Sequence, residues 1–536
     1  MSSDDASELV RDLLRPEAYP DDATSSVSLR TTHASWVFLI GASAWKLKRP
    51  VNFGFLDFRT VEARRQACED EVRLNRRLAP DVYVDVVPVR KTASGHALWG
   101  EGPVVDWAVH MRRLPDDASA EALLARGQLD AGALSQVALR LASFFAEARP
   151  APWFGAPAAL RLNVTENFTE VAPFVGDLLD QETLNDVQAF QLGRLTENAP
   201  RFAARVAGGR IREGHGDLRL EHVYFLPGDA GERRTAIIDC IEFSERFRCG
   251  DSAAEVAFLA MELEAAARPD LAAGFLARYA EASDDFGLYG VLDFYLSYRA
   301  WVRGKVAAIV ATDPTTAPDV RLQKRAEAAR DFRLARSFAG VPLQRPFLII
   351  VGGIIGSGKS TLASALGREL GVPVVSADRT RKRLAGLNPT AHGDGALYTQ
   401  EKREQTYVEI LRRGTEVLAS RRSVILDATF STRRWRWIAA EAARAAAADF
   451  AFIEAHCHPP ELLRARMAAR RMGDSVSDAT GELLDDFLRH YEPLAASDPG
   501  PKFTVDTSGA PGAALREVRR RLQVPPVIAG LESRGC

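Results

Sequence analysis

Residues 347–361, FLIIVGGIIGSGKST, run from an apolar stretch into a glycine-rich turn that ends Gly358-Lys359-Ser360. The spacing fits G-x-x-x-x-G-K-[ST], with Gly353 as the first glycine and Gly356 inside the turn, and the helical pattern TLASALGREL follows it. Glycines leave backbone N–H groups free to converge on phosphate oxygens at a helix N-terminus. Lys359 would reach the β- and γ-phosphates of a nucleoside triphosphate, the Ser360 hydroxyl would ligate Mg²⁺, and Thr361 closes the phosphate-binding set. ATP and Mg²⁺ are therefore the expected cofactors.

Downstream, VPVVSAD ends a second strand at Asp378 and continues as RTRKRL. A carboxylate at the C-terminal edge of a parallel strand beside a phosphate loop is placed to accept the proton of an acceptor hydroxyl. Arg381, one helical turn on, would hold an acceptor phosphate or the transferred group. The strand SVILDAT delivers Asp427 and Thr429 where a metal-facing or substrate-facing acid is needed. The helical ELLRARMAARR puts Arg466 and Arg470 at i, i+4 on one face, with Arg464 and Arg471 nearby, positions from which guanidinium groups would close over a transferring phosphoryl group.

A second constellation lies upstream. His215-Gly216-Asp217 and, about twenty residues later, Ile237-Ile238-Asp239 put two carboxylates at the ends of neighbouring short strands. Phosphoryl transfer uses such a pair, one carboxylate for the attacking hydroxyl and one for the metal. On these residues, the stretch from about 30 to 335 resembles the aminoglycoside phosphotransferase family, protein-kinase-like enzymes whose catalytic loop reads H-G-D-x-x-x-x-N and precedes an I-D metal motif. The resemblance implies Asp217 as catalytic base and Asp239 as main metal ligand. The family's asparagine falls on His222, a departure, because an imidazole is a poorer partner for hard Mg²⁺ than an amide oxygen. Glu221 is the neighbouring alternative. In SAWKLKRP, Lys46 and Lys48 share one face of a strand, and one of them is expected to meet the α/β-phosphates and Glu71 of the helical CEDEVRLNRRL. No G-x-G-x-x-G precedes them, only Gly41-Ala42-Ser43.

Residues 345–525 in turn resemble the polynucleotide-kinase, zeta-toxin and gluconate-kinase group of P-loop phosphotransferases, on the phosphate loop and the acidic strand end. KRPVNFGFLDF, EVRLNRRLAPDVY, IDCIEF and YRAWVRGKVAA resemble a bacterial subgroup in which the kinase-like domain is fused to a P-loop kinase. In the last of these, Arg299, Arg303 and Lys305 either line an acidic-substrate pocket or pair along the helix surface.

The elements that must position these groups follow from periodicity. Residues 30–115 read as strands with one helix, and 118–335 as helices interrupted near 211–243. Strand and helix alternate from FLIIVGG to KFTVDTS, which predicts a parallel sheet covered on both faces. The expected fold class is α/β and α+β: a two-lobed protein-kinase-like domain over 1–336, a linker over 337–346 marked by Gly340, Pro342 and Pro346, and a P-loop kinase, ATPase-like domain over 347–536.

At 536 residues, with 46% hydrophobic and 26% charged residues, the chain has the composition of a soluble enzyme of two or more domains. No apolar run approaches the roughly 18 residues of a membrane span. The acidic, polar MSSDDASELVRD lacks the features of a secretory signal. Five scattered cysteines without C-x-x-C spacing argue against disulfides and zinc and for a reducing cytoplasm. Net charge is −2, with a mildly basic C-terminal part that suits a phosphate-rich ligand. The expected function is transfer of the γ-phosphoryl of Mg-ATP at two sites to a hydroxyl of a small molecule or a nucleic-acid end, the small molecule being favoured, with no membrane and no obligate protein partner. The rival reading is an ATPase switch whose N-terminal lobe is a ligand-binding pseudokinase.

Overall fold

Strand-forming runs between residues 28 and 112 build one six-stranded antiparallel sheet from β1 (Ser28–Thr31), β2 (Ser35–Ile40), β3 (Ser43–Lys48), β4 (Tyr83–Thr92), β5 (Gly95–Ala97) and β6 (Val104–Arg112), in the order β1-β2-β3-β6-β4-β5. The two-residue period of β3 divides its side chains. Trp45 and Leu47 pack with Leu9 and Leu13 of the helix Ser3–Leu13, while Lys46 and Lys48 meet Glu71 of the helix Val61–Asn75. Thr60 caps that second helix by accepting from the Ala63 N–H, and its Cys68 and Val72 pack with Tyr83 and Val109 of the sheet. Two short antiparallel pairs follow, β7 (Ile211–Glu213) with β10 (Cys249–Asp251) and β8 (Val223–Pro227) with β9 (Arg233–Ile237). The connections 214–222 and 238–248 carry the acidic pair.

This is a computed structural model, and it describes residues 3–20, 26–52, 56–228, 233–340, 344–388, 391, 395–470 and 488–522. The elements above belong to one unit, Met1–Ala156 with Val206–Leu259; the other comprises Pro157–Arg205 with Ala260–Cys536. In the second unit, β11 (Phe347–Gly352), β12 (Val374–Ser376), β13 (Val424–Asp427), β14 (Asp449–His456) and β15 (Lys502–Asp506) form the expected parallel sheet, ordered β12-β13-β11-β14-β15. Their near-continuous apolar runs are buried because helices cover the sheet: Ile349, Val351, Ile425, Ile453 and Val505 pack with Leu362 and Leu366 of the helix Lys359–Leu370 and Val518 of the helix Pro511–Leu522.

Helices that precede residues 337–346 share this unit with the sheet. Trp301, on the helix Leu292–Thr312, lies between Phe168 and Phe332, with ring centroids 4.9 and 4.8 Å away. Gly304 is required beside it, since a Cβ there would come within 2.7 Å of the Phe332 ring. At the edge strand β12, the Val374 N–H donates to Glu281 of the helix Pro269–Ser283 at 2.9 Å. No helix among the described residues is long and apolar enough to cross a membrane. Cys68, Cys240, Cys249 and Cys457 are free and buried.

Candidate functional site

In the first unit the charged groups converge on β3. Lys46 Nζ donates to Glu71 Oε1 at 2.8 Å and to Asp239 Oδ1 at 2.5 Å. Lys48 Nζ lies 2.5 Å from Glu71 Oε2 and also pairs with Glu242. Burial alone would raise the pKa of Glu71, but the Lys46 and Lys48 charges outweigh it and hold the carboxylate below its ordinary value. Against a similar cost of burial, the Lys46 ammonium and then His222 hold Asp239 far below the carboxylate range. Asp239 sits in the left-handed region at φ 65°, which costs a residue with a Cβ about 1 kcal/mol and is best tolerated by Asp and Asn. Its N–H donates to Tyr83 Oη at 3.1 Å, and the Cys240 N–H donates to Asn75 Oδ1 at 2.8 Å, so the helix that carries Glu71 also pins this turn.

The neighbouring loop is held by its histidine. His215 Nε2–H donates to the Ile238 carbonyl at 2.7 Å, and Nδ1 accepts the Asp217 N–H at 3.3 Å, an arrangement that requires the neutral ring. Burial, aided by His222, pushes the His215 pKa down to about 4. Gly216 has φ 86°, and a Cβ would lie 2.9 Å from the Phe247 carbonyl oxygen; its N–H donates to Glu255 at 2.7 Å. His222 Nδ1–H donates to the Asp217 carbonyl at 2.8 Å, which leaves Nε2 3.6 Å from Asp239 Oδ2 and 3.6 Å from Glu221 Oε1. Lys46, Glu71, Asp217, His222 and Asp239 thus come together. Both lysines meet Glu71, where the sequence reading had one do so. Glu242, Tyr83 and Asn75 were missed; Glu242, three residues after Asp239, is the one a count of charges facing two lysines would have found.

In the second unit, Gly353, Gly356 and Gly358 have φ of 128°, 82° and 87°, and a Cβ on Gly353 would lie 2.4 Å from the Ala455 carbonyl oxygen. The helix Lys359–Leu370 starts directly after Gly358. Asp427, at the end of β13, is buried, with the side chains of Ser360 and Ser376 beside it. Burial raises its pKa against the Lys359 charge, and nearby Asp378 adds to the rise. Arg381 Nη1 lies 2.6 Å from Asp378 Oδ1, and the guanidinium stacks on Tyr398 at 4.6 Å. Tyr407, which sequence reading missed, lies 2.9 Å from the Thr429 hydroxyl and stacks on Trp435. Arg466 donates to the Thr507 and Ser508 carbonyls at 2.8 and 3.1 Å. The side chain of Arg470, and all of Arg471, lie outside the described residues. Lys305 donates to Asn167 at 2.6 Å and pairs with Glu170, and Arg303 lies 4.0 Å from Glu262, so both pair with neighbouring side chains.

Among the described residues, three buried polar atoms in this second constellation have no hydrogen-bond partner: Asp427 Oδ1, Ser357 Oγ and Arg381 Nε. Orphaned buried groups are costly, so they mark where a polar ligand would be accommodated. The residues present therefore fit a metal-bound nucleotide. Lys359 and the loop N–H groups would hold its phosphates, with Ser360 and Asp427 on the metal, which when bound neutralises phosphate charge.

Residues 348–494 match a family model described as an AAA domain. Over 479 residues the chain is 33% identical to the uncharacterized protein Rv2004c of Mycobacterium tuberculosis, covering 87% of this chain and 90% of that protein. The same identity and coverage relate it to Mb2027c of Mycobacterium bovis. Among solved structures it is similar to a gluconokinase from Sinorhizobium meliloti (24% identity, 34% of this chain and 94% of that chain, TM-score 0.26). Another is a choline/ethanolamine kinase family protein from Mesorhizobium loti (13% identity, 58% and 93%, TM-score 0.33). With a third of its residues shared over most of both lengths and a P-loop AAA domain toward its C-terminus, the chain belongs to the family of these mycobacterial proteins.

Proposed function

We propose that the protein is an ATP-dependent phosphotransferase with two sites, one in a kinase-like domain over 1–336 and one in a P-loop domain over 347–536, joined by 337–346. The observation that carries this reading is the second carboxylate beside the phosphate loop: Asp378 is near enough to Asp427 to raise its pKa, and Arg381 pairs with Asp378. A carboxylate there is placed to take the proton of an acceptor hydroxyl. At the C-terminal site Asp378 takes the hydroxyl proton as the acceptor oxygen attacks the γ-phosphorus, the bond from that phosphorus to the β,γ-bridging oxygen breaks, and ADP leaves. Arg381 steadies the carboxylate and any anion on the acceptor, and Arg466 and Arg470 supply positive charge. At the N-terminal site Asp217 takes the proton, Lys46 meets the phosphates while held by Glu71, and Asp239 with His222 holds the metal. The acceptor is a small molecule, and the reaction runs in the cytoplasm, where ATP is present and the free cysteines stay reduced.

A second reading, an ATPase switch with a ligand-binding pseudokinase lobe, is favoured by one contact. The Lys46 ammonium is engaged by Asp239, the residue a metal would use. Incubation of the full chain with γ-labelled ATP and a metabolite extract separates the two. If both sites transfer, Lys359→Ala and Asp239→Asn each delete a different labelled product. If the switch reading holds, the wild type yields labelled phosphate alone, and Lys359→Ala abolishes it.

A further inference from the structure

The N-terminal acidic pair holds an imidazole between its carboxylates, and the fold dictates which ring nitrogen is offered. His222 is 8% exposed, and its Nδ1–H is committed to the Asp217 carbonyl at 2.8 Å. When the ring is neutral, Nε2 carries the lone pair, 3.6 Å from Asp239 Oδ2 and 3.6 Å from Glu221 Oε1. Lys46 bonds Asp239 through Oδ1, the other oxygen. Two donor atoms 3.6 Å apart can both reach one cation whose bonds are about 2.1 Å long. A histidine whose far nitrogen is fixed by a backbone carbonyl is the usual arrangement of an imidazole ligand.

Mg²⁺ takes hard oxygens in near-octahedral geometry and gives up water reluctantly, whereas a neutral imidazole favours first-row transition ions. Resting on the reading of this site as metal-dependent, we infer that it is built for a divalent transition ion, with Mn²⁺ as the probe, held by His222 Nε2 and Asp239 Oδ2. Among the described residues, the C-terminal site gathers oxygen ligands, those of Ser360 and Asp427 among them, and suits Mg²⁺. One chain then carries two sites of different metal preference.

The test uses the full chain with Mn²⁺ alone, read by the loss of the free-ion paramagnetic resonance signal, with Mg²⁺ as competitor. Pulsed resonance of the bound ion detects a coordinated ring nitrogen. The expected result is Mn²⁺ binding at least about tenfold tighter than Mg²⁺, with nitrogen coupling in the wild type. In His222→Asn the coupling disappears and Mn²⁺ affinity falls about 10–100-fold. Bound Mn²⁺ without nitrogen coupling in the wild type overturns the inference irrespective of how any variant folds. If Asp239→Asn abolishes binding while His222→Asn leaves the Mn²⁺/Mg²⁺ ratio unchanged, the ion preference is wrong and the metal site stands. If Asp239→Asn changes no metal binding, the inference and the metal-dependent reading of this site fall together.

Discussion

The guanidinium of Arg413 closes on the carboxylate of Asp284 through two bonds, Nη1 to Oδ1 at 2.5 Å and Nη2 to Oδ2 at 3.0 Å. Asp284 is the left-handed C-cap of the helix Pro269–Ser283, at φ 53°, and Arg413 lies on the helix Gln400–Ala419. Arg413 Nη1 also reaches the Thr380 hydroxyl at 3.3 Å, on the short helix Ala377–Leu384 that carries Asp378 and Arg381. The pair thus ties a helix from before the 337–346 segment to the short helix that carries Asp378 and Arg381.

Asp284→Ala should destabilise the second unit by about 2 kcal/mol, below the range for a fully buried pair, because Asp284 is only partly buried and Glu409 still accepts from Arg413 Nε at 2.8 Å. Urea unfolding of the full chain reads this out. A loss under about 1 kcal/mol would mean that water solvates Arg413 well enough to replace Asp284.

Lys359→Ala should leave the thermal midpoint unchanged, since this half-buried side chain adds charge near the phosphates rather than core packing. Turnover at the C-terminal site should fall on the order of 10²-fold or more. The comparison is made in an Asp239→Asn background so that the other site is silent, and wild-type turnover there would refute the role given to the lysine.

Asp378→Asn should keep ATP affinity within a few-fold and cost on the order of 10²-fold in transfer, because a general base acts on the acceptor and not on the nucleotide. Nucleotide titration calorimetry beside a transfer assay distinguishes the outcomes. A large loss of ATP binding would make Asp378 a metal ligand and move the base to Asp427.

The buried, neutral His215 makes stability depend on acid. Its pKa is depressed from 6.5 to about 4, so below pH 6.5 the unfolded chain binds a proton that the folded chain refuses. Stability therefore rises with pH between about 4 and 6.5, and is lost on acidification through that window, by up to about 3 kcal/mol for this one group. Unfolding midpoints at pH 7 and pH 5 measure the loss, and His215→Asn should flatten the difference between them. An equally steep slope in the variant would place the titration elsewhere.

Much of the second unit was legible in the amino-acid sequence because its signals are local. Gly353, Gly356 and Gly358 stand where the backbone adopts positive φ, and the alternation of fully apolar runs with helical patterns announced a parallel sheet with Asp427 at a strand end, whereas Asp378, expected to end a strand, lies in the first turn of the helix Ala377–Leu384. The two-residue period that put Lys46 and Lys48 on one face was equally local. The tertiary structure alone decided what those groups meet. Lys46 bonds Asp239 across 193 residues of sequence, Lys48 draws in Glu242, Arg466 is held by the Thr507 and Ser508 carbonyls, and helices from 260–340 join the sheet. Turn and strand signals follow from φ, ψ and side-chain period within a few residues. Which buried charge finds which counter-charge depends on desolvation and on the packing of distant elements, and no spacing rule encodes either.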